Sequence, residues 1–215
     1  MKKLVLALLC AALSLTACSS PQTPHTRGVY LLLDTSGTYT KELDKARQII
    51  AYLLTQLDSG DVLAVARIDT GSFSEKDIVA KAIFDDRPSA ANQQKRAFME
   101  QVDSFIKSAK SSPYTDITGG LLQAEEYLDE HPLGKRTILV FSDMKEDLPK
   151  GYNRDIPLSL GGAEVVAVNV TKLRSDNVDP QEYLDRLVTW QKRVEAGNGR
   201  WRVINDLDRL GQLLD

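Results

Sequence analysis

Three side chains with oxygen donors lie close together in the segment 34–38 (DTSGT), directly after the apolar run YLLL. Asp34 offers a carboxylate, and Ser36 and Thr38 offer hydroxyls two and four residues later. Gly37 permits the backbone angles that a sharp turn can require. Hard oxygen donors are the ligands that a small divalent cation such as Mg²⁺ prefers. If the three side chains converge, this loop forms half of a metal site.

Two further segments carry the same kinds of side chain. Residues 137–143 (TILVFSD) repeat the opening pattern, because an apolar run again ends in a carboxylate, here Asp143. Residues 114–120 (YTDITGG) form a polar loop ahead of an apolar helical pattern that continues to about residue 131. Short apolar runs bounded by turn residues are typical of strands buried on both faces. The carboxylates are therefore expected at strand ends.

The rest of the chain alternates between strand-like and helix-like patterns. Further strands are predicted at 62–68, 78–84, 163–170 and 201–205, the second of them as an edge strand. Apolar spacing predicts amphipathic helices at 43–57, at 89–110, from a capping pattern at 179–182 (DPQE) to 194, and at 207–214. Residues 144–162, with two prolines and three glycines, are predicted to be irregular. The alternation predicts an α/β fold with a doubly wound, mostly parallel six-stranded sheet and helices on both faces.

The strand order decides whether the carboxylates meet. In the order 3-2-1-4-5-6, the first and fourth strands are neighbours where the order reverses, and ligands bind outside the carboxyl ends of strands at such a point. Asp34 ends the first strand and Asp143 ends the fourth. We therefore expect both carboxylates to face the same crevice.

The three motifs together resemble the metal-ion-dependent adhesion site of von Willebrand factor A (vWA) domains. They are DTSGT at 34–38, TDI ahead of GGL at 115–121, and SD at 142–143, and the similarity extends from residue 28 to residue 215. The resemblance implies a vWA fold, bound Mg²⁺ or Mn²⁺, and a protein partner that offers an acidic side chain to the metal. By position, it gives ligand roles to Asp34, Ser36, Thr38, Thr115 and Asp143.

Two positions depart from the pattern of that family. Thr38 stands where serine is commoner, which keeps the hydroxyl and adds a methyl group. Met144 follows Asp143 where many members have glycine, and this predicts a differently shaped rim.

Four other charged residues lie near the predicted crevice. Asp69 and Asp116 are interpreted as rim or turn residues rather than ligands. Lys172 and Arg174 follow the fifth strand, where they could border the crevice and attract an acidic partner. The alternative is that these two cations belong to a solvated loop.

The N-terminus resembles that of a bacterial lipoprotein. Two lysines precede an apolar stretch at 4–15, and the following LTAC at 15–18 resembles a lipobox. The predicted organisation is a signal peptide at 1–17, a lipidated Cys18 with a flexible tether at 18–27, and a vWA-like domain at 28–215. Cys10 leaves with the signal peptide, so no free thiol remains. The expected location is the bacterial cell envelope, with the outer membrane favoured in a two-membrane host because Ser19 follows the cysteine.

Charge argues against a nucleic-acid partner. The formal net charge is −3, and removal of Lys2 and Lys3 with the signal peptide would change it to −5. An acidic domain without a stripe of Lys and Arg is a poor match for nucleic acid. Nucleotide binding is also disfavoured, because neither a G-x-G-x-x-G nor a Walker loop follows a strand.

The sequence favours a binding module over an enzyme, and two alternatives remain. The pattern of an apolar strand followed by Asp-x-x-Gly-Thr resembles the first motif of haloacid dehalogenase phosphohydrolases, with Asp34 as nucleophile. That chemistry needs a general acid two residues later, where this chain has Ser36. A serine hydrolase built on Ser36 lacks the G-x-S-x-G elbow. The other alternative is a structural vWA module with no bound metal.

Overall fold

The computed structural model describes residues 25–37, 39–69 and 74–214. The predicted signal peptide, Cys18 and most of the predicted tether lie outside these residues, and so does Thr38. No helix among the described residues is both long enough and apolar enough to cross a bilayer.

A six-stranded sheet forms the centre of the fold. Its strand order is β3-β2-β1-β4-β5-β6, and every neighbouring pair is parallel except β2 and β3. The predicted order and the edge position of the third strand are therefore confirmed. The strands are β1 (Arg27–Leu33), β2 (Val62–Arg67), β3 (Ile78–Ile83), β4 (Lys135–Phe141), β5 (Glu164–Val168) and β6 (Arg200–Ile204).

Among the described residues, four α-helices and the last of the 3-10 helices pack on the two faces of the sheet. The α-helices are α1 (Leu43–Gln56), α2 (Pro88–Ser108), α3 (Ile117–Asp129) and α4 (Pro180–Ala196). Helices α1 and α2 pack on one face with the 3-10 helix Leu207–Leu213, and α3 and α4 pack on the other. Because strand side chains alternate between faces, Leu31 and Leu33 point towards α1 while Tyr30 and Leu32 point towards α3. This explains why the central strands are apolar throughout.

The N-terminal boundary differs slightly from the predicted one. Strand β1 begins at Arg27, one residue before the predicted start of the domain. The Thr26 hydroxyl donates to the Pro132 carbonyl at 2.9 Å, and the Arg27 backbone N–H donates to Asp61 Oδ1 at 2.7 Å. The last two residues of the predicted tether are therefore held by the fold.

The polar loop predicted at 114–120 is shorter than expected, because α3 already begins at Ile117. The Asp116 carboxylate caps the helix by accepting a hydrogen bond from the Gly119 backbone N–H at 2.8 Å. A Cβ at Gly120 would lie 2.6 Å from Ile68 Cγ2 and 3.1 Å from the side chain of Leu32. Gly120 therefore lets the start of α3 approach the sheet, whereas a Cβ at Gly119 would lie 2.5 Å from the capping carboxylate of Asp116.

The connection between β4 and β5 contains no helix or strand over residues 142–163, all of which the structure describes. The irregular segment predicted at 144–162 is thus confirmed. Backbone hydrogen bonds between Thr115 and Asp147 join it to the loop before α3. This connection therefore helps to hold the loop that carries Thr115.

Gly120→Ala should lower the free energy of unfolding by about 1 to 3 kcal/mol, because the added methyl group must displace packed side chains. Gly211→Ala is a matched control, since the nearest atom to its Cβ would be Tyr52 Oη at 3.8 Å. Urea unfolding of both variants tests this prediction. Equal stabilities would show that α3 can move away from the sheet at little cost.

Candidate metal site

Asp34 lies at the carboxyl end of the sheet because β1 pairs with β4 in parallel register. Leu33 is opposite Phe141, and the Asp34 backbone N–H donates to the Phe141 carbonyl at 3.0 Å. This register brings the residue that follows β4, Ser142, beside the Asp34 side chain. The ends of the first and fourth strands therefore meet as expected from the strand order.

The Asp34 carboxylate is completely buried and accepts hydrogen bonds from two loops. The Ser142 hydroxyl donates to Oδ2 at 2.6 Å, and the Ser36 backbone N–H donates to Oδ1 at 2.7 Å. The Thr115 hydroxyl lies 3.4 Å from Oδ1, a long contact. Within the described ranges, no Lys, Arg or His forms an ion pair with Asp34. A buried carboxylate is thus held in place without a neutralising side chain.

Burial raises the pKa of Asp34 above its ordinary value, although the hydrogen bonds from Ser142 and Ser36 oppose the shift. Burial also raises the pKa of Asp143, and the nearby charge of Asp34 contributes to that rise. The Lys145 backbone N–H donates to Asp143 Oδ1 at 2.8 Å and favours the ionised form. The negative charge of Asp34 therefore disfavours ionisation of Asp143.

A cleft of about 400 Å³ opens above Asp34 at this end of the sheet. Ser36, Thr115 and Asp143 all line it, so the structure brings together one residue from each of the three sequence motifs. Asp34 lies behind these side chains and is not itself exposed to the cleft. The cleft is lined by Ser36, Gly37, Ser112, Pro113, Thr115, Asp143, Lys145, Asp147, Thr171, Lys172, Leu173 and Arg174.

The loop that carries Ser36 is positioned by pairing with Ser112. The Gly37 N–H donates to the Ser112 carbonyl, and the Ser112 N–H donates to the Thr35 carbonyl, both at 3.1 Å. Gly37 has a φ of +46°, in the left-handed region that favours glycine. The glycine therefore permits the turn that exposes Ser36 to the cleft.

The four predicted rim residues fall into two groups. Lys172 and Arg174 line the cleft, whereas Asp69 and Asp116 do not. Asp69 accepts a hydrogen bond from the Thr35 hydroxyl at 2.8 Å and lies 3.4 Å from Arg67. Besides capping α3, Asp116 forms a largely buried ion pair with Arg154 at 2.7 Å. Asp69 therefore contacts side chains beside the site, and Asp116 holds the backbone at the start of α3.

Met144 has the left-handed φ of +65°, which is uncommon for a residue with a side chain. Such a conformation costs about 1 to 3 kcal/mol and persists only when its surroundings hold it. The Met144 N–H donates to Ser142 Oγ at 3.0 Å, and its carbonyl accepts from Trp190 Nε1 at 2.8 Å. Its side chain is buried in the core beneath α4. A glycine would adopt this backbone conformation without the same strain.

Two residues that position the site carry no sequence signal for that role. Ser142 belongs to the SD motif, and its hydroxyl fixes Asp34. Arg186 gave no local signal, because it lies on α4, 43 residues after Asp143, whose carbonyl accepts from its Nε at 2.9 Å. Only the fold brings α4 to this loop.

The composition of the site is compatible with a hard cation. Among the described residues, no group of three or more His, Cys, Asp or Glu side chains could hold a metal ion. The candidate donors are instead the hydroxyls of Ser36 and Thr115, the Asp143 carboxylate in the cleft and the Asp34 carboxylate beneath it, and the Asp147 carboxylate also lines the cleft. Hydroxyls and carboxylates suit Mg²⁺ or Mn²⁺ better than soft metals.

No protein-family model and no curated protein sequence matches this chain. Solved structures do match it over most of its length. A von Willebrand factor type A protein from Catenulispora acidiphila matches 87% of this chain at 16% identity, with a TM-score of 0.51. The fold is that of a vWA domain.

Two other matching structures are pilus proteins. The pilus adhesin SpaC from Lactobacillus rhamnosus GG, in an open conformation, matches 90% of this chain at 12% identity and a TM-score of 0.57. A D319A mutant of the PilB minor pilin from Streptococcus sanguinis also matches 90% at 12% identity, with a TM-score of 0.50. This chain spans 40%, 29% and 60% of the three matched chains, respectively. None of the three is titled as an enzyme.

Ser142→Ala should lower the free energy of unfolding by about 1 to 3 kcal/mol, because it removes a donor to buried Asp34 and the acceptor for the Met144 N–H. Ser104→Ala, on the exposed side of α2, should change it by less than about 0.5 kcal/mol. Thermal unfolding in chelator measures both. An equally small effect for the two variants would contradict the structural role of Ser142.

Asp34→Asn should be more stable than the wild-type protein at neutral pH in chelator. Because the pKa of Asp34 is raised in the folded protein, its ionisation opposes folding as pH rises from the ordinary carboxyl pKa through the raised value. The difference in melting temperature should therefore be small near pH 4 and should increase towards neutral pH. Calorimetry from pH 4 to 8 measures it, and parallel curves for the two proteins would refute the prediction.

Proposed function

We propose that this chain is a vWA-type binding module of the bacterial cell envelope that holds Mg²⁺ or Mn²⁺ and recognises an acidic side chain of a protein partner through that cation. One observation carries the proposal. The buried Asp34 carboxylate has hydrogen-bond donors but no ion pair within the described ranges, and it lies directly behind a cleft lined by Ser36, Thr115 and Asp143.

Electrostatics explains why this arrangement suits a cation. An unpaired buried charge is unfavourable, and a second carboxylate nearby makes it more so. A divalent cation in the cleft would offset both charges. Ser36, Thr115 and Asp143 would hold it with Asp34 behind them, and the sequence adds the hydroxyl of Thr38.

The partner chemistry follows from the properties of the cation. Mg²⁺ keeps several waters when protein side chains supply only part of its coordination shell, and a carboxylate from a partner can replace one of them. Lys172 and Arg174 on the same cleft would favour an acidic partner. The pilus adhesin and the minor pilin of the same fold support a role in protein contacts at the cell surface.

The proposed location rests on the sequence. The lysines, the apolar stretch and the LTAC segment support a signal peptide at 1–17 and lipid attachment at Cys18. An envelope location also agrees with the pilus titles of two structures that share the fold.

Nothing in the site favours the phosphohydrolase alternative. The position of the second acid is occupied by Ser36, and the Asp34 oxygens accept hydrogen bonds beneath the surface of the cleft. The wild-type protein is therefore expected to show no turnover of a generic phosphate ester. Turnover that Asp34→Asn abolishes would replace the binding proposal with an enzymatic one.

The melting temperature in Mg²⁺ or Mn²⁺, compared with that in chelator, tests whether the site binds a metal. At a concentration ten times the dissociation constant, the cation should add about 1.4 kcal/mol of stability to the wild-type protein. This corresponds to a shift of about 2 to 6 °C for a domain of this size. Asp34→Asn should melt at a higher temperature than wild type in chelator and should gain little from the cation.

Asp86→Asn is the matched control for that experiment. Asp86 is exposed and follows β3 at the end of the sheet opposite the cleft, where the Phe84 N–H donates to the Asp61 carbonyl. This variant should respond to the cation as wild type does. If wild type does not respond, or if Asp34→Asn responds equally, the module is structural and the metal proposal fails.

A further inference from the structure

We propose that the cleft contains a second anion-recognition point formed by Lys172 and Arg174, so that the partner is a protein segment with two acidic groups. One group would reach the cation and the other would meet these two side chains. This inference rests on the proposed function of the same cleft and specifies the class of partner.

The cleft has an asymmetric charge. Its lining includes the candidate ligands Ser36, Thr115 and Asp143, and also the segment 171–174 that follows β5. Lys172 and Arg174 are exposed there, and neither forms an ion pair with any residue that the structure describes. Lys172 Nζ lies 5.9 Å from the centre of the Tyr183 ring, which leaves its donors available. Lys145 is a third exposed cation of the lining, but it follows the candidate ligand Asp143 in the chain, whereas Lys172 and Arg174 form a basic pair on a separate segment.

A shared buried support fixes these cations relative to the candidate metal ligands. Asp176 is buried, accepts from the Leu173 N–H at 2.7 Å and pairs with Arg186 at 2.8 Å. The same guanidinium donates through Nε to the Asp143 carbonyl at 2.9 Å. Arg186 therefore joins the backbone of the basic segment to that of the acidic ligand. The two recognition points have a fixed spacing rather than belonging to independent loops.

The chemistry favours a short acidic peptide segment over a polyanion such as nucleic acid. Asp143 and Asp147 also line the cleft, and the whole chain has a formal net charge of −3, so an extended polyanion would be repelled outside the small basic area. The cleft volume of about 400 Å³ is near the lower end of the range for ligand pockets, roughly 300 to 1,000 Å³. It has room for a few residues of a partner.

The test uses synthetic peptides as probes of the whole domain in Mn²⁺. Each peptide contains two aspartates separated by zero to three glycines, and its single-acid counterpart has asparagine at one of the two positions. Binding is measured by calorimetry for wild type and for Lys172→Gln combined with Arg174→Gln. Lys192→Gln combined with Arg96→Gln is the matched control, because these exposed cations lie outside the cleft.

For at least one spacing, the two-acid peptide should bind wild type about five- to tenfold more tightly than its single-acid counterpart, as expected for contacts with exposed charges. The advantage should disappear in the cleft variant and remain in the control variant. The inference is overturned if no two-acid peptide binds or if none binds more tightly than its single-acid counterpart. It is also overturned if this difference in affinity persists without Lys172 and Arg174.

Repeating the titrations in chelator separates this inference from the metal proposal. If the two-acid peptide keeps its higher affinity in chelator for wild type but not for the cleft variant, the recognition point at Lys172 and Arg174 is supported. The role of the cation is then contradicted. If Mn²⁺ binds and the binding of single-acid peptides depends on it, but the second acid does not raise the affinity, the metal proposal is supported. The recognition point at Lys172 and Arg174 is then contradicted.

Discussion

The burial of the Asp34 carboxylate at the end of a central strand is the constraint that shapes this end of the molecule. A buried charge must be surrounded by oriented donors, and here they come from the loop after β1 and from Ser142 after β4. These donors can meet only because β1 and β4 are parallel neighbours with Leu33 opposite Phe141. The strand order, rather than any one loop, therefore creates the site.

The surrounding loops are held together by side chains from distant parts of the chain. Arg154, from the connection between β4 and β5, pairs with Asp116 beside the start of α3. Trp190 and Arg186, both on α4, bind the carbonyls of Met144 and Asp143. The backbone on either side of the cleft is thus attached to helices that pack on one face of the sheet. A site of this kind can keep its shape while its exposed side chains vary.

Much of the fold follows from local patterns in the sequence. The apolar strands and the helix spacing predicted a mostly parallel sheet, because a strand buried on both faces must be apolar throughout, whereas the strand order came from the resemblance to vWA domains. The start of α3 was predicted too late, since glycine normally disfavours a helix, whereas here Gly119 leaves room for the Asp116 cap and Gly120 allows close packing on the sheet. Such an exception depends on tertiary contact and has no local signal.

The sequence motifs predicted part of the site. The motifs indicated which side chains would gather, and Ser36, Thr115 and Asp143 do line one cleft. They did not indicate that Asp34 would be buried behind them, or that Arg186 would connect Asp143 with Asp176. Those relations depend on the packing of α4, which no short motif contains. The ligand roles themselves remain predictions.

The direction of β1 has a consequence for how the module would be displayed. Thr26 lies at the amino end of this strand, and Leu214 lies at the same end because its carbonyl accepts from Lys135 at the start of β4. The cleft is at the opposite end, separated by a strand of seven residues, or about 23 Å at ~3.3 Å per residue. For a chain attached to a bilayer through Cys18, the attachment would then enter the domain at the end opposite the cleft, which keeps the cleft away from the attachment point. Such a module could meet partners across the surrounding compartment rather than neighbours lying flat on its own membrane.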